Sequence, residues 1–286
     1  MKYGDIDKHG FEIDDDLPAS VYHAQSGLSK SMMSRLMESP AHLRHYLDNP
    51  QPHKDAFLFG QAVEDAIQRP DSFNIEYLPS GYKTICKGHW DLQKDAIHTL
   101  LPDPWFETIN NILASVADHP LAAEIIDNSS MEQMSVRWKD RETGVLCKAR
   151  LDAVSKLQGR KVYVDIKTAA KADWFNFERD AAQFGYWLQA AHYTEAGIVA
   201  DIMKDKKPKH RDFIFLVIEK TPDYGDKHRV EVLSYGEDDI AYGMEIRSRL
   251  IKKYAECLES GEWPGRETVE RRIILSDGWR DKFNNV

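Results

Sequence analysis

Three segments between residues 147 and 198 constrain this chain most. From Lys161 to Thr168 the apolar Val162, Val164 and Ile166 alternate with Tyr163, Asp165 and Lys167, and a period of two belongs to a half-buried strand. Cys147, Ala149, Leu151 and Ala153 alternate in the same way with Lys148, Arg150 and Asp152. Gln158-Gly159-Arg160 makes the turn between the two strands, and a long helix is expected over roughly 177–198. If the strands pair, the carboxylates of Asp152 and Asp165 converge, with Lys167 beside them and Ile166 buried behind. Carboxylates that close raise each other's pKa unless a cation joins them. A hard divalent ion with oxygen ligands answers that need, and Mg²⁺ typically binds through one or two carboxylates plus substrate phosphates. The chemistry suggested is metal-assisted phosphodiester hydrolysis. A lone Asp-x-Lys on a strand is more often a solvated face or an ion pair, so the weight lies in the order and spacing of the whole set.

The flanking sequence supplies the other elements. Residues 1–25 are polar and acidic and read as a loosely ordered leading segment. Ser29 is a good N-cap for a helix carrying Met32, Met33, Leu36 and Met37, and Ser39-Pro40 starts a second one. A third helix is expected over 55–68, closed by Pro70, followed by a loop-rich insertion over 71–95 and two helices within 89–126. Met134, Val136 and Trp138 alternate with Ser135, Arg137 and Lys139 as a strand leading into the Asp152 strand. Further strands are expected over 213–218 and 230–233, and a last helix over 238–259. Helix, three strands, helix and strand thus follow one another between residues 55 and 219.

Composition excludes more than it assigns. With 286 residues, 42% hydrophobic and 30% charged, the chain falls among ordinary soluble globular proteins. No apolar run approaches the length of a membrane span and the first residues lack a signal-peptide core, so a cytoplasmic protein without a membrane partner is expected. Cys86, Cys147 and Cys257 are too few for a disulfide framework or a four-cysteine iron–sulfur cluster. A net charge of −9 argues mildly against nucleic-acid binding over the whole surface, but leaves room for a local basic channel.

The segments Arg150-Leu-Asp152, Asp165-Ile-Lys-Thr168 and Gln189-Ala-Ala-His-Tyr193 resemble the PD-(D/E)XK nuclease superfamily. Leu28-Ser-Lys-Ser31, Ser39-Pro40 and Glu259-Ser-Gly-Glu-Trp-Pro-Gly265 narrow the resemblance to the RecE-type (exonuclease VIII) and lambda-type phage exonucleases. It implies an α/β fold with a restriction-endonuclease-like αβββαβ core, a central mixed sheet flanked by helices. A single domain over 1–286 is expected, with an N-terminal helical region (1–54), the nuclease core (55–219, insertion 71–127) and a C-terminal strand and helix (220–286). The activity implied is a Mg²⁺-dependent exonuclease, with Mn²⁺ able to substitute. It would degrade one strand of duplex DNA from its end, 5′→3′, in phage-type recombination or repair. A ring-shaped homo-oligomer and a single-strand annealing protein as partner are implied as well. The alternatives are a superfamily endonuclease, a catalytically silent DNA-binding or assembly module, and a hydrolase of small phosphoesters.

The resemblance also distributes roles. Glu64, Asp152 and Asp165 would bind the metal together with the Ile166 carbonyl, and Lys167 would orient the attacking hydroxide and stabilise the transition state. Gly60 and Glu64 share one helix face four residues apart. The RecE-type slot is Gly-x-x-x-His, whereas Phe59-Gly-Gln-Ala-Val-Glu64 has the glutamate of the lambda type. Gln189 and Tyr193, again four apart, would help to place the substrate backbone. Lys148 and Arg150 would compensate the acidic cluster or contact a phosphate, and Ser29, Ser31 and Arg35 could hold a terminal phosphate. Two loops are candidate DNA contacts: 77–94, with Tyr82, Lys83, Lys87, His89 and Trp90, and the basic stretch 204–211. Cys86 and His89 look like half a zinc site without a partner pair, and His42 and His45 read as helix decoration. Phe184, Tyr186 and Trp187 are expected in the core.

Overall fold

The computed structural model describes residues 11–14, 17–49, 55–129, 131–203, 212–266 and 268. The first half of the chain forms β1 (Phe11–Asp14), α1 (Ala19–Ala24), α2 (Lys30–Glu38), α3 (Pro40–Asp48), α4 (Asp55–Gln68), α5 (Pro70–Glu76), β2 (Tyr77–Pro79), α6 (Lys87–Gln93), β3 (Thr99–Leu101), α7 (Asp103–Asp118) and α8 (Pro120–Asp127). The second half forms β4 (Met131–Lys139), β5 (Leu146–Leu157), β6 (Arg160–Ala169), α9 (Trp174–Phe184), α10 (Tyr186–Met203), β7 (Asp212–Tyr224), β8 (Lys227–Ser234) and α11 (Glu237–Ser260).

Six strands make one mixed sheet in the order β1-β4-β5-β6-β7-β8. Only β6 and β7 run parallel, as the crossover through α9 and α10 requires. Period-two patterning then builds two cores. Tyr163 of β6 and Phe213, Phe215 and Val217 of β7 face one side, packed with residues of α2, α3, α9, α10 and α11. Val162, Val164 and Ile166 with Ile214, Leu216 and Ile218 face the other, packed with α4, α7 and α8. The result is a three-layer sandwich with the sheet in the middle, the α/β architecture that the restriction-endonuclease-like expectation called for.

Local signals explain several boundaries. Ser39 closes α2 and opens α3, its side chain accepting from the His42 amide at 3.2 Å with Pro40 at the first helical position. Glu237, Asp238 and Asp239 occupy the first turn of α11, where the helix dipole favours negative charge, and Gly261 ends it with φ +73°. The Glu-Trp-Pro-Gly segment then folds back on the amino-terminal helices. Trp263 packs edge-on against Tyr254 and under the Arg44 guanidinium, and the Pro264 carbonyl accepts from Ala41 N–H at 3.1 Å. That part of the resemblance is therefore architectural.

Five expectations are corrected. The leading segment contains β1, which pairs with β4, and the short helix α1. The insertion is more ordered than a loop, holding α5, α6 and the small parallel pair β2–β3. The long helix is two helices, because Gly185 sits at φ +64° and caps α9 before α10 begins. Phe184, at that break, is 50% exposed, while Tyr186 and Trp187 pack partly buried against the core. Ala153 leaves the face of Cys147, Ala149 and Leu151 and joins the opposite core. The alternation reverses at Asp152, where the ladder to β4 skips from Met134↔Leu151 to Glu132↔Ala153 and Gln133 takes φ +53°. One residue of each strand, Gln133 and Asp152, is passed over there, so the register is the same on both sides while the faces of β5 exchange. The stretch 204–211 lies outside the described residues.

Candidate active site

The same step opens the sheet. The β5–β6 ladder runs from Leu157↔Arg160 to Ala153↔Val164 and goes no further, although both strands continue. Beyond it β6 stays paired with β7 as far as Ala169↔Glu219. Beside the other prong, β5, the place of β6 is taken by Leu28, which donates to the Leu146 carbonyl at 2.7 Å and accepts from Lys148 N–H at 3.0 Å. Asp152 and Asp165 thus stand at the base of a fork between β5 and β6, with the start of α2 near its open end.

Four elements bring side chains to this fork. Asp165 is 2% exposed; its Oδ1 accepts from Gln189 Nε2 of α10 at 2.5 Å and its Oδ2 meets Lys167 Nζ at 2.6 Å. Asp152 Oδ2 accepts from the Ile166 amide at 2.8 Å, standing in for the missing ladder bond. From the opposite layer, α4 comes close to β6 at Gly60, where an added Cβ would lie 3.3 Å from Thr168 Oγ1. One turn on is Glu64, whose Oε1 accepts from Gln133 Nε2 at 3.3 Å. Its neighbour Asp65 points elsewhere, binding Arg69 at 2.7 Å and the Tyr77 hydroxyl at 2.6 Å. Sequence adjacency therefore does not put Asp65 in the site.

Electrostatics tie the acidic groups together. Burial, followed by the charges of Asp65 and Asp165, pushes Glu64 up to about 7. Burial, then Glu64 and Asp165, raises Asp152 well above the usual carboxylate range. For Lys167 burial pulls the ammonium down but is outweighed by Asp165 and Asp152, so its pKa rises and it stays charged at neutral pH. Its Nζ also lies 5.2 Å from the centroid of the Tyr186 ring. Tyr193 on α10 feels burial first, then Tyr22, Asp165 and Asp152, all of which raise its hydroxyl.

The remaining expected site residues divide. Arg150 donates to Gln133 Oε1 and lies 5.9 Å from the Tyr22 ring centroid. Lys148 is spent on the fold: its ammonium donates to the carbonyls of Tyr22 at 3.0 Å, His23 at 3.2 Å and Gln25 at 2.6 Å, tying down the end of α1. Ser29 caps α2, accepting from the Met32 amide at 3.4 Å, and Ser31 is exposed on its first turn. Arg35 is exposed and pairs with Glu38 at 3.2 Å. In the insertion His89 is fully buried, whereas Cys86 is exposed.

Three residues near the site escaped the sequence reading. Lys30, next to Ser29, bonds the Phe184 carbonyl at 2.6 Å and lies 5.6 Å from the Tyr186 ring centroid. Burial, followed by the charge of Lys167, lowers it to about 8. Gln68, one turn beyond Glu64, donates to the Asp152 carbonyl at 2.7 Å; its i+4 spacing was the available signal. Gln133 had none.

Among the described residues no three His, Cys, Asp or Glu side chains already stand as a cage for an ion. The donor chemistry nonetheless suits a hard divalent cation. Three carboxylates crowd one fork, two of them pushed towards the neutral form by burial and by each other, and a cation is what relieves such crowding. Asp152 and Glu64 each spend one oxygen on an internal donor and offer the second.

Comparison with known proteins bears on the family and the fold. Residues 29–271 match the family model of a PDDEXK-like domain of unknown function. The crystal structure of a presumptive exonuclease from Eubacterium rectale superposes with a TM-score of 0.57 at 14% identity, covering 95% of this chain and 99% of the other. A Vibrio cholerae protein of known structure overlaps far more loosely, with a TM-score of 0.21 at 11% identity over 84% of this chain and 60% of its own. No curated protein matches. No helix among the described residues is long and apolar enough to cross a membrane. Fold, forked strands and family match together make this chain a member of the PDDEXK-like family within the PD-(D/E)XK superfamily.

Proposed function

We propose that the chain is a metal-dependent deoxyribonuclease acting as an exonuclease on the ends of duplex DNA. The observation that carries this reading is the convergence of Glu64, Asp152, Asp165 and Lys167 on one fork from two strands and a helix. Glu64, Asp152 and Asp165 would hold Mg²⁺ or Mn²⁺, with the Ile166 carbonyl beside them. The ion supplies Lewis-acid activation of water and neutralises charge on the phosphate.

The chain's own groups do the rest. Lys167 keeps its proton, so it acts as a charged donor to phosphate oxygens and not as a base. Asp165 anchors the ammonium and the Tyr186 ring lies beside it, fixing its direction. Gln189 holds Asp165 in place, and the Ile166 amide does the same for Asp152. Tyr193, neutral at working pH, is a hydroxyl donor suited to the substrate backbone. Lys30, Ser29 and Ser31 stand at the start of α2 near the open end of the fork, where a terminal phosphate would meet an ammonium and free helix N–H groups. Arg35 on the same helix would add a guanidinium. Phosphodiester cleavage is largely positioning and charge neutralisation, so this set suffices without a covalent nucleophile.

Polarity 5′→3′, a ring-shaped oligomer, a single-strand annealing partner and a role in phage-type recombination complete the proposal, and they rest on the resemblance to RecE-type and lambda-type enzymes. The test compares linear with closed circular duplex in Mg²⁺, in Mn²⁺ and in EDTA, with Lys167→Ala as control. Degradation of the linear form alone, lost in EDTA and in the variant, supports an exonuclease. Equal cutting of circles points to an endonuclease, and DNA binding without cleavage to a silent module.

A further inference from the structure

We propose that Gln68 and Gln133 are positioning residues that clamp the broken rung between β4, β5 and β6, so that Asp152 and Glu64 are presented to the fork. This deepens the nuclease reading and rests on it. Interrupting a sheet leaves backbone groups without ladder partners, and a buried group left unpaired is destabilising. Here side chains fill both openings. The Ile166 amide is taken by Asp152 Oδ2 at 2.8 Å, and the Asp152 carbonyl by Gln68 Nε2 at 2.7 Å. Asp152 is thereby held at its carboxylate from β6 and at its backbone from α4. Gly60, Glu64 and Gln68 form a stripe at i, i+4 and i+8. One helix face thus brings the close approach to β6, a carboxylate and the support of the opposing carboxylate.

Gln133 closes the other side. Its backbone is held at φ +53°, a region that β-strand residues other than glycine rarely occupy. That turn coincides with the skipped rung opposite Asp152. Its amide joins two groups of fixed polarity: Arg150 donates to Oε1, and Nε2 donates to Glu64 Oε1 at 3.3 Å. A guanidinium can only donate and a carboxylate can only accept. Arg150 therefore dictates which way the amide faces and guarantees Glu64 a donor. Local strain with a relay of hydrogen bonds at the ligands is the pattern of a pre-organised site.

The experiment uses the full chain and the variants Gln68→Met, Gln133→Met, Arg150→Met and Gln133→Met/Arg150→Met. Methionine keeps length and removes the amide. Mn²⁺ uptake is followed by calorimetry, kcat and KM on linear duplex, and stability by thermal unfolding. Each glutamine variant is expected to lose about 10–100-fold in kcat and about tenfold in Mn²⁺ affinity. KM should stay within about twofold, as expected when ground-state binding is untouched. The double variant should fall no further than Gln133→Met, since both changes cut one relay. Gln133 is only half-buried, so its variant keeps the test intact if Gln68→Met does not fold. Unchanged Mn²⁺ affinity and kcat, or a loss that only tracks the folded fraction, overturns the clamp while leaving an active nuclease. A wild-type chain that takes up no Mn²⁺ and cuts no DNA overturns both readings.

Discussion

Gly197→Ala is the sharpest probe of how the site is mounted. Gly197 lies on α10 directly over Tyr163 of β6, and an added Cβ would sit 1.9 Å from Cζ, 2.2 Å from the hydroxyl oxygen and 2.3 Å from Cε2 of that ring. Carbon atoms rest at about 3.5–4.0 Å, so helix and ring must separate by about 1.5–2 Å. Neither partner gives readily. Tyr163 is 1% exposed, and its strand is locked between β5 and β7. Overpacking of this kind costs about 1–3 kcal/mol, and so close a contact belongs at the top of that range. Replacing a helical glycine by alanine returns about 1 kcal/mol, which leaves a net loss of about 2 kcal/mol. At about 2–4 °C per kcal/mol, Tm should fall by about 4–8 °C. The displacement also reaches the chemistry, because Gln189 lies eight residues earlier on the same helix, about 12 Å away, and holds Asp165. Activity at a temperature where the variant is folded should therefore drop as well. Calorimetric unfolding of Gly197→Ala, Tyr163→Val and the double variant reads the result. Adding Gly197→Ala should cost at least about 1 kcal/mol less in the Tyr163→Val background. A Tm that rises in the single variant, as helix propensity alone dictates, would refute the packing of α10 on β6.

Lys167→Ala should lower kcat on linear duplex by at least about 100-fold, measured against a single-turnover wild-type reference. His192 yields a pH signature. It is fully buried, its Nε2–H donating to the Lys148 carbonyl at 3.0 Å while Nδ1 accepts from Arg247 Nε at 3.2 Å; burial, then the Arg247 charge, lowers it to about 3. Below the ordinary histidine value of about 6.5 the unfolded chain takes the proton first, so its contribution is full above that pH and is lost as pH falls towards 3, by up to about 1.4 kcal/mol per unit. Urea midpoints at pH 7, 5.5 and 4.5 should therefore fall more steeply for wild type than for His192→Gln, and parallel slopes would contradict this. Gly243→Ala would place a Cβ 2.7 Å from Ala191 Cβ and 2.9 Å from the Trp187 carbonyl oxygen; backbone cannot step aside as a side chain can, so α10 and α11 should part at a cost of about 1–3 kcal/mol in thermal unfolding.

Much of the candidate site's layout was legible along the chain because it depends on local periodicity. Period two placed Asp165 and Lys167 on one face of β6 with Ile166 behind them, and helical spacing put Gly60 and Glu64 on one face of α4. Ser39-Pro40 marked a helix boundary through capping that operates within four residues. Where the reading failed, the cause was longer in range or finer in angle. Gly185 was one residue inside a helical pattern, and whether a glycine bends or continues a helix depends on what packs on either side. β1 has too few residues to announce itself without its partner β4. The face reversal at Asp152 arises from a skipped rung against Gln133, and nothing in the alternation of β5 announces it.

The primary structure, then, determined which residues could act: strand period and helix spacing are properties of the backbone and travel with the sequence. Where they act was decided by tertiary structure. The fork exists because β6 stays with β7 while Leu28 takes its place beside β5. Gln68, 84 residues before Asp152, then donates to the Asp152 carbonyl where the strands part, and Gln133 links the Arg150 and Glu64 side chains. Which group satisfies a buried donor or acceptor is settled by what lies within three ångströms of it in space, and no one-dimensional pattern carries that distance.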